Sequence, residues 1–91
     1  MSDISVILEE RGKTHGQFAH QAMVGQMIKK AMRNGRNFTY ETLSEDQIEA
    51  MDMIASKLAR ICCGDANHID NWLDIEGYSR LIANRLEKDA A

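Results

Sequence analysis

Behind the run Ser44-Glu45-Asp46-Gln47, apolar residues recur at Ile48, Met51, Ala55, Leu58 and Cys62, intervals of three and four that a helix gathers onto one side. Ser44 to Gln47 has the sequence of a capping box, so this helix is predicted to start there and to stop at Gly64. The stripe has a coiled-coil-like spacing, and such a seam needs neighbouring helices to cover it.

The rest of the chain supplies those neighbours. Phe18, Ala22, Gly25, Ile28 and Met32 mark a helix over residues 17–34, ending at the Asn34-Gly35 stop signal. In the segment HIDNWLDIEGYSRLIANRL, residues 68–86, Trp72, Ile75, Tyr78, Ser79, Ile82 and Leu86 are expected to form the buried face of a last helix over about residues 69–88. A short first helix is expected over residues 3–10, broken by RGKTHG, and residues 35–43 show no helical period. Proline is absent and Val, Ile and Thr do not alternate, so the class is all-α. The expectation is a small helical bundle of three main helices plus a short N-terminal one, a single domain over residues 1–91, with the third and fourth helices antiparallel.

A chain of 91 residues buries a modest core, so self-association is expected, with the methionine-rich faces of helices two and three (Met23, Met27, Met32, Met51, Met53) joining an isologous pair of subunits. A net charge of −3 gives no global attraction for nucleic acid, and only Lys29, Lys30, Arg33 and Arg36 form a local basic cluster. Neighbouring helical side chains diverge by about 100°, so Cys62 and Cys63 are expected as reduced, buried thiols and not as a zinc pair. With no leader and no long apolar run, the expected location is the cytoplasm, without a membrane partner.

Carboxylates are the chemistry-bearing feature. Glu49 and Asp52 share a flank of helix three, and Asp70 and Asp74 face one way on helix four. If the helices pair antiparallel, both sets border one cleft, and facing carboxylates are how a bundle supplies oxygen ligands to Mg²⁺. Each residue has a plainer reading as well. Glu49 and Asp70 lie in first turns, where acids suit the helix dipole, and Asp52 has Ser56 or a lysine to pair with. Asp74 falls on the apolar margin beside Tyr78, Leu81 and Arg85, where it needs a partner. Lys57, Arg60, Arg80 and Arg85 would give a phosphate group cations near the acids, although salt-bridged helix surfaces have the same pattern. The turn RGKTHG, with Arg11, Lys13, His15 and Lys29, is a second place for phosphate oxygens, or simply a loop. Trp72 and Tyr78 are core residues by default, with base stacking as their functional alternative.

The stretch EAMDMIASKLARICCGDANHIDNWLDIEGYSRLIANRL, preceded by RGKTHGQF, resembles a family of small phage and prophage proteins of unassigned function. Their shared elements are an HG or YG near the start, a KxAR helix and a DxWxDIxGY helix. More distantly, NWLDIEGYSRLIANRL is similar to the last core helix of the all-α nucleotide pyrophosphohydrolases related to MazG. There an ExxE on one helix and an ExxD on the next hold Mg²⁺. Asp74 takes the last acidic position, Asn71 replaces the preceding Glu, and Glu49 with Asp52 stands in for ExxE.

The resemblance implies a phage-encoded nucleotide-handling protein of a bacterial host cell. Glu49, Asp52 and Asp74 would be catalytic, joined by Asp70 as Mg²⁺ ligands, and Lys57, Arg60, Trp72, Tyr78 and Arg85 would bind the nucleotide. Its reaction would be nucleoside triphosphate pyrophosphohydrolysis. The altered acidic set supports an alternative, a non-catalytic counter-defence protein that sequesters a nucleotide signal or binds a host protein.

Overall fold

Ser44 opens its helix as the capping sequence predicts: its amide donates to Gln47 Oε1 at 2.9 Å, closing the reciprocal box. The computed structural model describes residues 3–91 and contains α1 (Ile4–His15), α2 (Phe18–Arg33), α3 (Glu45–Cys63) and α4 (Ile69–Ala90). No strand occurs among the described residues. Residues 34–44 are turns, including Phe38 N–H to Gly35 O and Leu43 N–H to Thr39 O, with the Arg33 guanidinium 4.8 Å above the Phe38 ring.

The first helix is longer than expected. Asp3 caps it by accepting from Ser5 N–H, and the helix runs through Arg11, Gly12, Lys13 and Thr14 before ending at Gly16. A single glycine inside a helix is tolerated, and the last turn is tied by Thr14 Oγ1 to Glu10 O and by a Lys13–Glu9 pair. The real stop is Gly16, whose φ of 82° places it in the left-handed region.

α3 is the spine. α2 and α4 pack on either side of it and not against each other, while α1 lies on α3 and α2. α3 and α4 run antiparallel, since Asp46 near the start of α3 meets Arg85 near the end of α4 and Lys57 meets Asp74. Gly25 is buried where α2 meets α3, and a Cβ there would stand in ordinary contact with the Ala59 Cβ, 3.5 Å away. Among the described residues, the buried apolar side chains are Ala50, Ala55 and Ala59.

Several burial expectations change. Trp72 and Leu86 are half exposed, and the most enclosed side chain of α4 is Asn71, at 1% exposure. Lys57, expected as a cation open to a phosphate group, is buried. Cys62 is exposed and Cys63 half-buried, both free. Among the described residues, no helix is long and apolar enough to cross a membrane.

Candidate functional site

The expected acidic set disperses because each member faces a different partner. Asp52 points to α2, where both of its oxygens accept from the Arg33 guanidinium at 2.8 Å, a bidentate pair. Those bonds hold the Asp52 carboxyl below its ordinary pKa, aided by the charges of Arg33 and Lys29 and opposed by partial burial. Asp74 points to α3, with Oδ2 2.9 Å from Lys57 Nζ, so Tyr78 and Arg85 are not its ion-pair partners. Asp70 stands 3.6 Å from His68 Nε2 on the surface, and Glu49 lines a shallow depression with Tyr40, Glu45 and Ile48. Among the described residues, no group of three or more His, Cys, Asp or Glu is placed to hold a metal ion. The four carboxylates as arranged therefore do not fit Mg²⁺, which takes an oxygen-rich shell, because Asp52 and Asp74 already face fixed cations.

Arg85, expected to bind a ligand, is a fastener. It donates to Asp46 and Ser44 at the start of α3 and to Asp89 on its own helix, and its hydrogen bond with Ser44 spans 2.8 Å. Asp46 is held below the usual carboxylate range, chiefly by the bonds from Arg85 and Ser44. Trp72 donates its indole N–H to Ala66 O at 2.8 Å, fixing the ring at the start of α4.

Three of the sequence elements meet at the other end of α3. Gly16 and Gly64 pack backbone to backbone, since a Cβ on Gly16 would strike the Cys63 carbonyl and one on Gly64 the Thr14 carbonyl. Asp65 N–H donates to Thr14 O at 2.6 Å and welds the end of α1 to the α3–α4 connection. His15 is thereby set edge-on against His68, with ring centroids 5.6 Å apart, while Lys57 and Asp74 close the α3–α4 side. His15 Nδ1 and Asn71 Nδ2 are buried without a hydrogen-bond partner.

A cleft of about 380 Å³ opens beside this junction, lined by Leu8, Arg11, Gly12, His15, Gly16, Gln17, Phe18, Gln21 and Arg60. Phe18, Gln21 and Arg60 also border a second cleft of about 180 Å³, which reaches Ser56, Gln26 and Lys29, so the two form one groove. Among the described residues, Arg11, Lys29 and Arg60 have no carboxylate within 4.0 Å. His15 is pushed below its ordinary pKa, first by burial and then by the charges of Arg60, His68, Lys57 and Arg11. The groove combines a neutral imidazole with three cations that make no ion pair, and an anion entering it meets attraction on both sides.

An all-helical chain with a cation-lined groove at one end of its spine is thus what the fold defines. A family model, that of a domain of unknown function (DUF6378), matches residues 3–86, and the chain belongs to that family. No curated protein and no solved structure matches it.

Of the expected site residues, the structure places Arg60 in this groove and brings Lys57 and Asp74 together beside it, but not Glu49, Asp52 or Asp70. Phe18, Gln21 and Ser56 were not anticipated. The spacing of Ser56 and Arg60, four apart on one helix face, is the signal that bore on them.

Proposed function

We propose that this protein handles nucleotides, binding a phosphate-bearing ligand in the groove around Arg60. The observation that carries this reading is that Arg11, Lys29 and Arg60 line one groove without an ion-pair partner among the described residues, in a chain whose net charge is −3. Arg60, placed where the two halves join, would take phosphate oxygens with its planar fork, and Arg11 and Lys29 would neutralise those on either side. Phe18, 78% exposed at the rim, offers a flat face to a base.

Binding without turnover is the form the geometry favours, because Asp52 and Asp74 are engaged by Arg33 and Lys57. Such a protein would sequester a nucleotide signal, a role that suits the phage resemblance. Mg²⁺-dependent pyrophosphohydrolysis, the chemistry of the MazG-related enzymes, would require those carboxylates to leave their partners. One experiment separates the readings: calorimetry of the protein with pyrophosphate and a panel of nucleoside triphosphates, with and without Mg²⁺, alongside a pyrophosphate-release assay. Saturable binding that Arg60→Ala weakens about 10- to 100-fold, with no release, is the expected result, since a hydrogen bond to a charged group is worth about 1.5–3 kcal/mol. Release of pyrophosphate would establish hydrolysis instead. Absence of binding to any of these anions would sink the nucleotide reading and leave a host protein as the partner.

A further inference from the structure

A second groove, of about 340 Å³, runs between α3 and α4, with Leu43, Met51 and Ile54 on one side and Ile82, Ala83 and Leu86 on the other. Met51 and Arg60 lie on opposite sides of α3, since the residues between them carry the helix about 900° round at about 100° each. The apolar groove therefore faces away from the cation-lined one and from α1. Heptad steps extend its rim from Met51 to Leu58 along α3 and from Leu86 back through Ser79 to Trp72 along α4. Leu58, Trp72 and Leu86 are 37%, 51% and 45% exposed there, left uncovered by the described residues.

We infer that a second copy of this chain covers this face, with α3 and α4 of one protomer packed on α3 and α4 of the other about a twofold axis. The areas support it. The chain exposes 6842 Å², whereas a folded monomer of 10.3 kDa exposes about 5,400 Å². The surplus, about 1,400 Å², is what each partner of an obligate homodimer withdraws from water. The radius of gyration points the same way, at 15.5 Å against about 12 Å for a compact domain of this length. A core whose enclosed apolar side chains are three alanines needs its cover whenever the chain is folded, and only another copy is always at hand. An apolar face of this kind is complementary to itself, as a twofold contact requires.

The interface differs from the methionine faces that the sequence marked. Met51 lines the groove, but Met23 and Met27 lie on the side of α2 away from Gly25, 53% and 62% exposed.

Sedimentation equilibrium of the full chain at micromolar concentration should return twice 10.3 kDa. Leu86→Glu, which buries an unpaired charge in the contact, should raise the dimer Kd by about 100-fold or more. A monomer in the unmodified chain at high micromolar concentration would overturn the proposal. So would a dimer indifferent to Leu86→Glu but dissociated by Ile7→Glu on α1. Should Leu86→Glu fail to fold, maleimide labelling of Cys62 in the unmodified chain decides, because that exposed thiol lies about three turns beyond Met51 on the same side of α3. Labelling that slows as protein concentration rises supports the dimer, and a rate independent of concentration overturns it.

Discussion

Where α3 begins, Arg85 of α4 is bonded to Asp46 and Ser44, and Arg33 of α2 holds both oxygens of Asp52. Towards its other end, Arg60, Arg11 and Lys29 have no carboxylate within 4.0 Å among the described residues, although acidic residues outnumber basic ones in the chain. The first arrangement uses charge to fasten helices. The second leaves charge available, and there the helices are fastened by backbone contact between two glycines and by one buried lysine. Charged side chains thus clamp the helices at one end of α3 and stay without ion-pair partners towards the other.

Breaking the glycine contact should have the largest effect. Gly16→Ala adds a methyl group against the Cys63 carbonyl at a φ of 82° and is expected to cost about 2–4 kcal/mol by urea denaturation, combining left-handed strain with overpacking. Next comes the buried lysine. Asp74→Asn leaves the Lys57 ammonium without its charged partner and should cost about 1.5–3 kcal/mol, less than a fully enclosed pair because Asp74 is half exposed. Lys57→Met in the same assay should be close to neutral, since it removes the buried charge itself. A large loss from Lys57→Met together with none from Asp74→Asn would mean that the pair is not what closes the junction.

Arg85→Ala, at the clamped end, should lower Tm by less than Asp74→Asn, because its ion pairs are solvent-exposed and screened. Added salt should shrink that difference further.

Acid titration should separate the two ends by pH. His15 is held below its ordinary value near 6.5, so the unfolded chain takes up that proton first. Stability from this source is complete above about pH 6.5 and declines as pH falls through the lower folded value. Asp46 and Asp52 are also held low, so their contribution is complete above the ordinary carboxylate pKa near 3.8 and is lost only as pH falls below it. Hydrogen exchange should show α1 and the α3–α4 connection loosening as pH falls below about 6.5, before the start of α3 does. His15→Gln should erase that early step. Simultaneous loosening of both ends would contradict the comparison.

The helices were legible because caps and stops are local chemistry: Ser44 with Gln47, Gly64, and Asn34 with Gly35 stand where the elements begin and end. The end of α1 was not, since Gly12 resembles a breaker and the true stop at Gly16 depends on the distant Cys63 carbonyl. The carboxylates were misjudged for a related reason. Spacing shows which residues share a face of a helix, but not that Arg33 and Lys57 reach them first from neighbouring helices. Asn71, read as a substituted acid, is instead the most enclosed residue of α4.

The bond from Asp65 N–H to Thr14 O has a consequence for the order of folding. It joins the end of α1 to the turn between α3 and α4, with most of the chain between the two partners. α3 and α4 are joined by a short connection and pay little loop-closure entropy to pair, whereas α1 has no buried residue of its own and must wait for that docking surface. α1 is therefore the last segment to settle and the first to detach. Even once it has settled, Ile4, Val6, Ile7 and Leu8 keep 43–65% of their surface exposed, open to any chaperone that reads apolar segments.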